Sequence, residues 1–116
     1  MNTPKNISVE QARKMVDDEQ ATIVDAIIVD VRELAEYQSM HIAGSLHIPL
    51  SEIQSKSHIL SQQKEGKLLM LCAAGKRSLM AAEAAIAEEV PKEIYNIEGG
   101  ITAWKEQGLP VIELKK

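Results

Sequence analysis

The sequence contains no phenylalanine, one tryptophan and two tyrosines. So few rings leave little on which unpaired bases could stack, which is how single-strand nucleic-acid binders hold their ligands. Positive charge is also scarce: 13 lysines and arginines face 17 aspartates and glutamates, a formal net charge of −4. A nucleic-acid backbone demands a basic face, so nucleic acid is not expected as the main partner. A single cysteine, Cys72, excludes an internal disulfide and a multi-cysteine zinc site. No apolar run approaches the roughly 18–20 residues of a membrane-spanning helix, and the first residues lack the apolar stretch of a secretion signal. The expectation is a cytoplasmic protein with no membrane partner, in a reducing compartment where a free thiol persists. No segment repeats and none is of low complexity.

What is present fits a globular protein. With 116 residues, 45% of them hydrophobic and 26% charged, the chain is long enough to bury a core without disulfide or metal staples. We expect one domain over 1–116, its core roughly 6–112, and a monomer by default. Ser8 and Gln11 have the spacing of a capping box, and Val9, Ala12, Met15 and Val16 recur at helical intervals, predicting a helix over 9–18. Residues 26–31 (Ala-Ile-Ile-Val-Asp-Val) and 67–72 (Lys-Leu-Leu-Met-Leu-Cys) lack polar alternation, as strands buried on both faces do. Short strands are expected at 46–48 and 93–97, a short helix at 34–40, and one or two more within 51–64. The Ala-rich stretch 77–89, with Leu79, Ala82, Ala85 and Ile86 along one face, reads as a helix stopped by Pro91. A last helix spans 101–107, ended by Gly108 and Pro110. Buried strands alternating with helices predict an α/β fold: a central, mainly parallel sheet of about five short strands with helices on both faces. Ligands of such folds bind beyond the carboxyl ends of the strands, here after Val29 and after Leu71.

The second of these places carries the chemistry. Cys72, Ala73, Ala74, Gly75, Lys76, Arg77 and Ser78 lie between a buried strand and the strongest helix. Small residues and Gly75 permit a tight turn whose N–H groups converge, and a helix N-terminus behind them favours an anion. A thiolate is the natural occupant, because helix N-termini and nearby cations lower thiol pKa values. Cysteine at a strand end is more often a small buried hydrophobe. Two cations at a helix N-terminus, however, cost about 0.3–1 kcal/mol each unless an anion compensates. That favours Cys72 as a nucleophile.

Other polar residues read as structural. Asp30 and Arg32 follow a strand end; Arg32 is expected to pair with Glu36 and fix the next turn, and Asp30 to accept hydrogen bonds from loop backbone near the site. His41 lacks an identifiable carboxylate partner, and neither His47 nor His58 has metal-ligand spacing with Cys72, so no metal site is expected. Trp104 is assigned to packing, although the Gly99-Gly100 turn could bring it near the cysteine loop.

Four stretches resemble the single-domain rhodaneses, a family of sulfurtransferases. They are Asp30-Val31-Arg32-Glu33 with Glu36-Tyr37; His41 to Ser45 with Ile48-Pro49-Leu50; Cys72 to Ser78, in the pattern C-x-x-G-x-R-S; and Glu98-Gly99-Gly100-Ile101 with Ala103-Trp104 and Gly108 to Val111. Met40 stands where the family often has glycine and Ala43 where it often has proline, both read as surface-turn positions. Ala73-Ala74 makes the loop less polar than many, which bears on the donor rather than the reaction. The resemblance implies a rhodanese-like three-layer fold and, without a cofactor, ping-pong transfer of sulfur. Cys72 would take the outer sulfur of a small anionic donor such as thiosulfate and pass it from a persulfide to cyanide, a thiol or a protein cysteine. Backbone N–H groups of Ala73 to Ser78 would stabilise the persulfide, while Lys76 and Arg77 orient the donor. Related phosphatase loops have five residues between cysteine and arginine; here there are four, with Ser78 where a phosphatase needs its arginine, so phosphate chemistry is not expected. Three roles remain: a small-molecule sulfurtransferase, a persulfide carrier serving a protein or tRNA-modifying partner, and a module that only binds, against which Cys72 and its cations argue.

Overall fold

In the computed structural model, which describes residues 3–17 and 24–114, the two unbroken apolar runs become neighbouring strands. β2 (Ala26–Asp30) and β5 (Lys67–Leu71) pair in parallel, with Ala26 opposite Lys67 and Asp30 opposite Leu71. Both are buried on both faces because helices cover the sheet on either side. The other strands of this sheet are β1 (Lys5–Ile7), β4 (Leu46–His47) and β6 (Glu93–Ile97), giving the order β1-β6-β5-β2-β4 with every pair parallel. The five-stranded, three-layer α/β architecture expected from the sequence is present.

The helices are α1 (Val9–Val16), α2 (Leu34–Ser39), α3 (Ser57–Ser61), α4 (Lys76–Ala87) and α5 (Gly100–Glu106), with a 3-10 turn at Leu50–Glu52. Alternate residues of β5 serve opposite cores. Leu68, Met70 and Cys72 pack with α3 and α4; Leu69 and Leu71 pack with α1 and α5. Ser8 caps α1 through the expected box: its hydroxyl accepts the Gln11 N–H at 3.1 Å and its own N–H donates to the Gln11 side chain at 2.8 Å. α1 ends at Val16 with Asp17 as its C-cap, short of the expected bound at residue 18, which itself lies outside the described residues.

Three strands differ from expectation. β1, and the antiparallel pair β3 (Met40–His41) and β7 (Ile112–Glu113), are two or three residues long. Of β1 only Ile7 is buried, and neither residue of β7 is, so they carry no apolar pattern to read. Met40 is not a surface-turn residue: it lies in β3, half-buried against the core of α1 and α5. Ala43 does sit in an exposed turn. The buried stripe of α4 is Ser78, Ala81, Ala82 and Ala85, with Leu79 and Ile86 at its edges. Small side chains on that stripe let the helix approach β5 and β6 closely, which an apolar count centred on the larger residues misplaces.

Candidate active site

The register of β2, β5 and β6 ends the three strands together, so the segments after Asp30, Leu71 and Ile97 meet at one edge of the sheet. The loop after β5 carries the cysteine. Cys72 is buried, and the chain turns back at Gly75, whose φ of +104° lies in the left-handed region that glycine alone adopts at little cost. That turn aims the Gly75 N–H at the Cys72 Sγ, 3.0 Å away. α4 starts at the next residue and places the Ser78 Oγ 3.3 Å from the same sulfur.

These contacts set the acidity of the thiol. Burial pushes the Cys72 thiol up, but the Ser78 hydroxyl and the N–H groups of Ser78, Gly75 and Ala74 outweigh burial and hold it below its ordinary value. The Gly75 N–H points at the sulfur, as a turn with converging N–H groups requires. The carbonyls of the loop point the other way and are met by the start of α5: Ile101 N–H donates to Cys72 O at 2.9 Å and Thr102 N–H to Ala73 O at 3.1 Å. Gly100 makes this approach possible, since a Cβ there would lie 2.4 Å from Cys72 O and 2.5 Å from Ala73 C.

Arg77 is only partly available. Its guanidinium forks onto the Glu36 carboxylate of α2, at 2.8 and 3.0 Å. This pairing holds the Glu36 carboxyl down at about 2 and raises Arg77 above its usual range. Glu36 is thus an anion beside Arg77 that the sequence reading did not assign to the loop. Lys76 is exposed and makes no ion pair among the described residues.

Asp30 and Arg32 depart from expectation in their partners. Arg32 does not pair with the Glu36 carboxylate; it forms an ion pair with Asp30 at 2.8 Å, both side chains buried. Asp30 accepts the main-chain N–H of Arg32 at 3.0 Å rather than hydrogen bonds from the cysteine loop. A carboxylate with 0% exposure requires a full charge beside it, and Arg32 is nearest along the chain. The Arg32 guanidinium also donates to the main-chain oxygens of Glu36, at 3.3 Å, and Met40, at 2.5 Å. The pair fixes the path of α2 and so delivers Glu36 to Arg77.

His41 and His47 stack on the Tyr37 ring, at 4.3 and 4.5 Å between centroids, and donate to the main-chain oxygens of Tyr37 and Arg32. Among the described residues no cluster of three His, Cys, Asp or Glu side chains could hold a metal ion. Trp104 is buried with Ile42, Leu71 and Ile97, its indole N–H donating to Pro110 O at 2.9 Å.

Sequence reasoning missed two neighbours of the loop. Glu36 is 41 positions from Arg77, a separation no local pattern bridges. Asn96 of β6, which accepts the Ser78 hydroxyl at 2.5 Å, did leave a signal: it is a carboxamide in an otherwise apolar strand ending.

The profile of the Rhodanese-like domain matches residues 8–107. The chain belongs to the rhodanese-like family. Curated relatives include a provisionally named sulfur carrier protein, YrkF, of Bacillus subtilis, 34% identical over 98 residues, 84% of this chain and 49% of that protein. The chain thus spans about half the length of this relative. Thiosulfate sulfurtransferase GlpE of Coxiella burnetii is 35% identical over 81 residues, covering 70% of this chain and 73% of GlpE. Among solved structures, a rhodanese-related protein from Thermoplasma volcanium superposes with a TM-score of 0.75 at 31% identity, over 93% of this chain and 97% of that one.

Proposed function

We propose that the protein is a sulfurtransferase that carries a sulfane sulfur as a persulfide on Cys72. The observation that carries this reading is the buried Cys72 sulfur held against the Gly75 N–H at the end of β5, with its pKa lowered by the turn. The Cys72 thiolate attacks the outer sulfur of thiosulfate or a similar donor. The new S–S bond forms as the donor's S–S bond breaks, and sulfite leaves with the electron pair. An acceptor nucleophile (cyanide, a small thiol or a protein cysteine) then attacks the outer sulfur of the persulfide, and the Cys72 thiolate returns. No cofactor is needed. N–H groups of the turn stabilise the sulfur anion throughout, and Lys76, with the open face of Arg77, draws in the anionic donor. The four-residue separation of Cys72 from Arg77 supports sulfur over phosphate as the transferred group.

Initial rates with thiosulfate and cyanide test the proposal. Parallel double-reciprocal lines and no activity in Cys72→Ser are expected; intersecting lines with activity left in Cys72→Ser would refute it. The name of the Bacillus relative favours a second reading, that the persulfide is handed to a protein partner. Slow turnover with cyanide but stoichiometric transfer to a protein thiol would select it.

A further inference from the structure

Behind the cysteine, a line of side chains runs from the sulfur to solvent. The Cys72 S–H donates to Ser78 Oγ at 3.3 Å, the Ser78 hydroxyl to Asn96 Oδ1 at 2.5 Å, and Asn96 Nδ2 to Asn6 Oδ1 at 3.1 Å. Cys72, Ser78 and Asn96 are buried, whereas Asn6 is exposed on β1. The parallel register puts Asn6 directly opposite Asn96. Every bond in the line points away from the sulfur. That polarity suits a thiol, which has a proton to give. A thiolate has none and needs the Ser78 hydroxyl to point towards it.

Carboxamides can meet both demands. Turning each amide by 180° exchanges its oxygen and nitrogen without displacing the group. Asn6 Nδ2 then donates to Asn96 Oδ1, Asn96 Nδ2 to Ser78 Oγ, and the freed hydroxyl proton to the thiolate. The outer end of the line lies in water, which satisfies whichever atom Asn6 turns outward.

We infer that Asn96 is a positioning residue for the reacting sulfur, its carboxamide deciding whether the Ser78 hydroxyl accepts from a thiol or donates to a thiolate at Cys72. This rests on Cys72 being the nucleophile. The charged groups on the elements about the sulfur are Lys76 and Arg77 on α4, Glu36 on α2 paired with Arg77, Glu33 ahead of α2, Glu98 ahead of α5, and the mutually paired Asp30 and Arg32 after β2. The line adds orientation without adding charge, so its effect is separable from theirs.

Cys72 is the only cysteine, so the pH dependence of alkylation by iodoacetamide reports its thiolate directly. Ser78→Ala is expected to raise the alkylation midpoint by about one pH unit, a tenfold loss of rate below the midpoint, and Asn96→Ala by about half a unit. In the double variant the midpoint should match Ser78→Ala alone, because Asn96 acts through Ser78. Asn6→Ala, on the surface, should give a smaller shift of the same sign that also vanishes in the Ser78→Ala background. A wild-type midpoint in Asn96→Ala, or a shift that adds in full to that of Ser78→Ala, overturns the inference. If Asn96→Ala does not fold, the Asn6→Ala pair decides, and no shift there overturns it equally. Alkylation needs no sulfur donor, so an additive result refutes the relay alone, whereas failure of thiosulfate to load Cys72 refutes the sulfurtransferase reading alone.

Discussion

Arg77 and Glu36 meet as two parallel hydrogen bonds, at 2.8 and 3.0 Å, across the mouth of the cysteine loop. A guanidinium fork matched to a carboxylate is held in one plane and one place, so the loop's arginine is oriented before any donor arrives, with a carboxylate already answering its charge.

Removing that answer should strengthen attraction for an anionic donor. Glu36→Gln is expected to lower KM for thiosulfate about two- to fivefold, the range of a partly exposed pair, while Arg77→Ala lowers kcat/KM on the order of 10- to 1000-fold. Steady-state kinetics decide this, and an unchanged or raised KM in Glu36→Gln would show that Arg77 does not face the donor. The pair also leaves a pH signature. The Glu36 carboxyl sits at about 2 in the fold, below its unfolded value, so its stabilisation is complete above the ordinary carboxylate range and is lost as pH falls towards 2. The difference in melting temperature between wild type and Glu36→Gln should be flat from pH 5 to 8 and shrink below pH 4.

Gly100 has two reasons to be glycine: a φ of +59° and the carbonyl of Cys72 where a Cβ would stand. Gly100→Ala should therefore destabilise the protein by about 2–4 kcal/mol, combining overpacking with backbone strain. It should also slow sulfur transfer, because α5 supports the carbonyl side of the loop. Urea titration measures the first effect and initial rates the second; wild-type values in both would show that α5 does not brace the loop.

Arg32→Ala would strand the Asp30 carboxylate in the core with no counter-charge. Breaking a buried pair on one side costs about 3–5 kcal/mol. Loss of the contacts to Glu36 O and Met40 O should also loosen α2 and, with it, the Glu36–Arg77 fork. The expected outcome is a large drop in the urea midpoint, and a drop no greater than that of Glu36→Gln would contradict it.

How much of this is legible in the sequence depends on how local its cause is. β2 and β5 can be read as runs with no polar break, and α1 from Ser8 and Gln11, because each pattern lies within a few residues. The cysteine turn can be read for the same reason, as Gly75 is three positions from Cys72. β1, β3 and β7 cannot, since two or three residues with at most one buried become a strand only when a distant partner arrives. Asp30–Arg32 is two residues apart, yet Glu36 looks like the better partner by helical spacing; burial of Asp30 decides the choice, and burial is a property of the fold. Glu36 and Arg77 meet only because the fold brings the Glu36 side chain on α2 to that of Arg77 in the first turn of α4.

The most direct test of the central claim is the mass of the intact protein after incubation with thiosulfate. The wild-type chain should gain one sulfur atom, located on Cys72 by fragmentation and removed by cyanide or a reducing thiol, while Cys72→Ser gains none. An unchanged wild-type mass, or an equal gain in Cys72→Ser, would contradict a sulfur-carrying Cys72.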